Sequence, residues 1–182
     1  MDAIKMIKER RSVRKYTDQK VDRAVIEQIV EVSRWAPSWA NFQVARYTIV
    51  DSQEMIDKIY DLGVQGFTYN MKTLKNTKGL IVLSYVMGKS GSLNGKGASE
   101  GKAASWEMFD AGIACQTFCL AAHEKGVGTC IFGIIDQDQI AKIIGLAQDE
   151  SVAAIITYGY ENGPHPEPTQ RMEVSEILRT AE

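Results

Sequence analysis

Residues 111–122 (AGIACQTFCLAA) are apolar nearly all the way round at helical spacing, so a helix running from about Ala103 to Lys125 has no face suited to water. Such a helix must be covered by other elements, which commits the chain to a layered globule built around it. It has more apolar surface than one 182-residue subunit readily covers, so a second copy is expected to cover the rest. Leu80 to Met87 (LIVLSYVM) adds a second constraint: a near-continuous apolar run with β-branched content reads as a central strand buried on both faces. Further strands are expected at Arg46–Asp51, Thr129–Ile134 and Val152–Gly159. Helices are expected at 2–11, capped by Asp2, and from Asp22 to about Ala36, where Pro37 stops the chain. Another runs from Ser52 to near Gly63 with Met55, Ile56 and Ile59 on one face. A last one spans 137–144, with a capping box of Asp136 and Gln139 and a closing Gly145. The expected fold is α+β: one domain over residues 1–182, with a central mixed sheet flanked by helices on both faces.

Composition narrows the function classes. The 182 residues carry 21 Lys+Arg and 23 Asp+Glu, a net charge of −2, which argues against coating nucleic acid. No apolar run reaches about 18 residues, and MDAIKMIKER lacks the apolar stretch of a secretory signal, so a cytoplasmic protein with no membrane span is expected. Cys115, Cys119 and Cys130 form no CxxC pair and stand beside only two histidines, His123 and His165. Neither a disulfide framework nor a metal site is expected, and the thiols read as small core hydrophobes. Residues 88–101 hold five glycines. There Gly95, Gly97 and Gly101 spell GxGxxxG, one residue too long for a dinucleotide fingerprint, so the stretch reads as a loop. Pro164, Pro166 and Pro168 predict an extended tail.

Two clusters carry chemistry. Lys8, Arg10, Arg11, Arg14 and Lys15 crowd around Ser12 against one carboxylate, Glu9. They read either as a basic helix end facing the negative pole of its dipole, or as a phosphate clamp of guanidinium groups and a hydroxyl. Arg171, beyond the prolines, is a further candidate for the clamp. The loop APSWANFQ offers Ser38, Asn41 and Gln43 among apolar neighbours. These groups suit either a local turn or the polar edge of a planar ring.

In order along the chain, RRSVRKY, APSWANFQ, EKGVGTCIFG, a strand ending in YG and the late Arg171 resemble the FMN-dependent nitroreductase family over nearly the whole sequence. The resemblance implies a homodimer whose C-terminal extension wraps the partner. It implies FMN as cofactor and NADH or NADPH as electron donor. Arg10, Arg11 and Ser12 then hold the phosphate and ribityl chain with Arg171, while Arg14 lies near the flavin pyrimidine edge. Pro37, Ser38, Trp39 and Asn41 come to the flavin from the other subunit, and Ile131, Phe132, Gly133 and Ile134 pass the ring with their backbone amides. The implied activity is reduction of nitroaromatic, quinone or related small acceptors by a ping-pong cycle, without a side-chain acid or base. Departures from the family pattern fall at Trp39, Val44, Ala45 and Gly133, and bear on the substrate. Two rivals are a non-enzymatic flavin- or phosphate-binding module and an anion-binding regulator.

Overall fold

The computed structural model describes residues 2–64, 68–93, 96–97 and 103–181. Strand β1 (Ala45–Val50) pairs with β2 (Leu80–Val86), β2 with β6 (Glu150–Gly159), and β6 with β5 (Gly128–Phe132). The order is β1-β2-β6-β5 and all three pairings are antiparallel. The parallel component of the expected mixed sheet is confined to one bridge, between Ser12 and Thr129. A small hairpin of β3 (Ser92–Leu93) and β4 (Lys96–Gly97) lies within the glycine-rich stretch. Gly95 and Gly101, two of the three glycines weighed there, lie outside the described residues.

The apolar run of β2 is explained by its two neighbouring layers. Ile81 and Leu83 pack with α2 (Arg23–Ser33) and α5 (Ala103–Glu124), in a cluster with Ile26, Ile29, Phe118 and Cys119. Leu80 and Val82 point the other way, into a cluster with Ile56, Ile59, Phe132 and Ile140. Those residues come from α3 (Gln53–Lys58), the π-helical turn Ile59–Gly63 that continues it, β5, and α6 (Gln137–Ile144). Successive strand side chains face opposite layers, so a strand sandwiched between two helical layers is apolar at every position. Each fully buried side chain of this size contributes roughly 1.5–3 kcal/mol.

Local signals place several helix ends. The Asp2, Asp22, Ser52 and Asp136 side chains accept backbone N–H groups at the starts of α1 (Ala3–Glu9), α2, α3 and α6. Gly145 ends α6 with φ +65°, a left-handed conformation natural to glycine. Beside the small hairpin and a 3-10 turn at Trp39–Asn41, the elements absent from the sequence expectations are α4 (Thr68–Asn76) and the one-turn α7 (Val174–Ile177) in the extended tail. Helix α5 is not covered on every side within the chain: Met108 and Phe109 are exposed by 40% and 57%. The sheet and α2 cover the side that carries Ala111, Ala114, Cys115 and Phe118.

Candidate functional site

Segment 10–17 leaves α1 and lies along the open edge of β5. Val13 N–H donates to the Thr129 carbonyl at 2.9 Å, and Thr17 N–H to the Tyr160 carbonyl at 2.9 Å. Val13 and Tyr16 point inward and are buried. The Tyr16 hydroxyl bonds the Val13 carbonyl at 2.7 Å and Thr157 Oγ1 at 2.9 Å, and its burial pushes the phenol pKa upward. What admits these two side chains is a pair of glycines. A Cβ on Gly128 would lie 2.7 Å from Val13 Cγ2, and one on Gly159 would lie 2.8 Å from the Tyr16 ring. Gly128 and Gly159 are cross-strand partners, so the two close approaches share one patch of sheet. With Val13 and Tyr16 turned in, Ser12, Arg14 and Lys15 turn outward.

Residues 10–15 front three cavities. Arg14, Asn70 and residues 130–134, including Ile131, Phe132, Gly133 and Ile134, line one of about 490 Å³. That volume is within the range of small-molecule sites. Among the described residues no strand pairs with the outer edge of β5 beyond the bridge at Thr129, so backbone groups of residues 131–133 face this space. Arg10 and Arg11 line a second cavity of about 160 Å³ with His123, Gly128, Glu161 and His165. Ser12 and Arg14 meet the tail at Asn162–Pro164 in a third.

The basic cluster divides by role. Arg11 Nη1 donates to the Lys8 carbonyl at 2.6 Å and the Arg10 carbonyl at 3.1 Å, so this guanidinium caps the end of α1 as a helix dipole favours. Arg14 Nη1 reaches only the Ser12 carbonyl, at 3.2 Å, and the side chain is otherwise exposed to the larger cavity. The Nε atoms of Arg10 and Arg11 are buried without a hydrogen-bond partner. Buried guanidinium donors left open suit an anionic ligand. The remaining candidates lie elsewhere in this chain. Arg171 is exposed and bonds the Thr169 and Gln170 carbonyls and the Thr169 hydroxyl. Pro37 and Ser38 line a different cavity, of about 280 Å³, with Gln43, Asp110 and Ala114. Trp39 packs on Trp106 at 4.9 Å between ring centroids, and Asn41 is exposed.

Two features escaped sequence reasoning. Ala40, Asn41 and Gln43 take φ of 44°, 59° and 52°, strain of order 1 kcal/mol each that the surroundings must hold. The buried carboxylates Glu107 and Asp110 sit on α5; two acids three residues apart on an otherwise apolar helix were the available signal.

The histidines add a pH-dependent contact. His165 Nδ1 bonds the Glu161 carboxylate at 2.8 Å, and Nε2 bonds the Glu9 carbonyl at 2.9 Å. Both partners accept, so the ring is best served as an imidazolium, and Glu161 and then the Glu9 carbonyl hold its pKa above the usual value. Burial, then the neighbouring His165, push His123 down. With the folded pKa raised, the His165 contribution is complete below about pH 6.5 and is lost as pH rises through the folded value. Amide exchange in residues 162–168 is expected to speed up as pH rises above about 6.5, beyond its intrinsic base catalysis. His165→Asn should remove that excess; an unchanged excess excludes the latch.

Against this geometry, known proteins give a consistent answer. The profile of the nitroreductase family matches residues 7–160. The chain belongs to the nitroreductase family. A protein from Methanothermobacter thermautotrophicus, provisionally named NADH dehydrogenase/NAD(P)H nitroreductase, is 25% identical over 88% of this chain and 78% of its own. One of the same name from Archaeoglobus fulgidus is 25% identical over 87% and 85%. Among solved structures, a provisionally named nitroreductase in complex with FMN from Exiguobacterium sibiricum superposes with TM-score 0.85 at 20% identity, covering 100% of this chain and 98% of that one. A nitroreductase family protein from Streptococcus pneumoniae gives 0.84 at 20%, covering 98% and 99%. The α+β architecture is therefore that of the family. Among the described residues no helix is long and apolar enough to cross a membrane.

Proposed function

We propose that this nitroreductase-family chain binds FMN, takes electrons from NADH or NADPH, and reduces nitroaromatic, quinone or related small acceptors in a ping-pong cycle. The observation that carries this is the cavity where Arg14 faces the open edge of β5 at residues 131–134, beside buried and unpartnered Arg10 and Arg11 Nε atoms. When bound, FMN supplies the hydride chemistry. Arg10, Arg11 and Ser12 are assigned to its phosphate and ribityl chain, and Arg171 to the same phosphate. Arg14 and the backbone N–H groups of residues 131–134 would face the flavin's pyrimidine edge, where a cation and N–H donors would favour the anionic reduced ring. Proton delivery needs no dedicated side chain if water reaches the product.

The protein is proposed to act as a cytoplasmic homodimer. Exposed Met108 and Phe109 on α5, and Met172, Val174, Ile177 and Leu178 in the tail, leave apolar surface that a second copy would cover. In that assembly Pro37, Ser38, Trp39 and Asn41 reach the flavin of the opposite protomer. The decisive experiment is spectroscopic. The purified protein should be yellow, with a flavin band that NADH or NADPH bleaches without oxygen and an added quinone restores. Colour without bleaching supports a passive flavin-binding module; neither FMN uptake nor colour rejects the oxidoreductase.

Trp39 is assigned to acceptor choice. It stands where the family pattern has a small residue, and its ring packs at a tilt of 52° on Trp106, which in turn meets Phe109 at 5.2 Å. Trp39→Ser is expected to admit bulkier acceptors, lowering their KM by roughly three- to tenfold while FMN content stays near normal. Loss of FMN instead places Trp39 in the cofactor site.

A further inference from the structure

The most strained segment among the described residues is fixed by a carboxylate from another element. Ala40, Asn41 and Gln43 are the non-glycine residues with positive φ. Their local bonds do not reach outside the loop and its exit: Gln43 N–H donates to Ser38 Oγ at 2.8 Å, Asn41 N–H to the Ser38 carbonyl at 3.0 Å, and Arg46 Nη1 to the Gln43 carbonyl at 2.7 Å. The hydrogen bond that ties the loop to the rest of the molecule is different. Trp39 N–H donates to Asp110, 3.1 Å from each carboxylate oxygen. Ser90 Oγ–H donates to Oδ2 of the same group at 2.6 Å.

Asp110 is 3% exposed, and among the described residues no Lys, Arg or His pairs with it. A buried carboxylate without a cation is costly unless its oxygens are satisfied, and here two neutral donors satisfy them. One turn earlier, buried Glu107 accepts the Lys89 N–H at 2.9 Å. Helix α5 thus holds the 88–90 turn with two acids and passes that hold to Trp39 through one of them. Strain of this kind persists only where surrounding contacts over-determine the backbone. We propose that Asp110 is a positioning residue: it holds the 38–43 loop in its strained form, aims Trp39, and thereby sets which acceptors the site takes. The acceptor half of this proposal rests on the oxidoreductase reading above.

The experiment compares wild type, Asp110→Ala, Asp110→Asn and Ser90→Ala. Amide exchange of residues 38–43 is followed in each, with KM and kcat measured separately for NADH and for a small and a bulky quinone. In Asp110→Ala, loop exchange should rise about tenfold, and the ratio of KM values for the two quinones should shift by a similar factor while bleaching by NADH per bound flavin stays within about twofold. Asp110→Asn can still accept from Trp39 N–H, so it should restore most of both properties. Unchanged loop exchange in Asp110→Ala overturns the proposal. So does an equal fall in donor and acceptor rates that tracks lost flavin, since a general structural role predicts that. If Asp110→Ala does not fold, Ser90→Ala decides: a shift of about threefold in the same direction supports the anchor, and none overturns it. A wild type that binds no FMN overturns the oxidoreductase reading and its acceptor claim, while loop exchange in the variants still tests the anchor independently.

Discussion

Arg10→Ala is expected to purify colourless and to regain activity when excess FMN is supplied. Arg10 is half-buried, its Nε is unpartnered, and it lines the cavity beside His123 and Gly128. If it grips the phosphate, its loss removes a charge-assisted hydrogen bond from a dianion that has left water. That should cost on the order of 2–3 kcal/mol, or roughly 30- to 150-fold in affinity. Arg14→Ala should behave differently, because Arg14 faces the cavity at residues 130–134. It should stay yellow and accept hydride slowly. Flavin titration and anaerobic stopped-flow reduction separate the two effects. If both variants keep flavin and rate, the cluster only caps α1, as Arg11 visibly does.

Gly128→Ala should damage the same site without touching a charged residue. Its new Cβ would sit 2.7–2.9 Å from three atoms of Val13, which is itself only 3% exposed. Either Val13 or the segment carrying it must move, at about 1–3 kcal/mol, or roughly 2–12 °C in melting temperature for a chain of this size. Because Val13 N–H is bonded to the Thr129 carbonyl, the displacement passes directly to Ser12 and Arg14. FMN content should fall with the melting temperature. Adding Val13→Gly to Gly128→Ala should recover flavin binding, since it removes all three close atoms, Cβ included, while leaving the segment's backbone bonds in place. Gly128→Ala with unchanged stability and flavin would show that segment 10–14 is not seated by this glycine.

Much of the scaffold was legible because its causes are local. The Asp136 cap, the Gln139 N–H it binds and left-handed Gly145 lie within ten residues and bound α6 as expected. Residues 80–86 were readable as a central strand because apolar character at nearly every position has few other outcomes. Helix α4 was not readable: its sequence TYNMKTLKN is short and polar, and Leu74 and Thr73 are buried only through tertiary packing. The excess apolar surface of α5 was legible from the sequence, but not that Met108 and Phe109 carry it. An apolar face shows only that something must cover it, not whether that cover lies in the same chain.

The candidate site divides along the same line. By itself, the sequence determined which groups exist to bind an anion and a planar ring, and their order along the chain, because side-chain chemistry is intrinsic to each residue. Only the tertiary structure decided their placement. It sets the Arg11 guanidinium on carbonyls at the end of α1, leaves Arg14 over the edge of β5, and ties the loop that holds strained Ala40, Asn41 and Gln43 to Asp110, some seventy positions away. It also makes Gly128 and Gly159 the bed for Val13 and Tyr16. These roles arise from contacts between residues far apart in sequence, whose energies depend on ångström-scale approach that spacing along the chain does not encode.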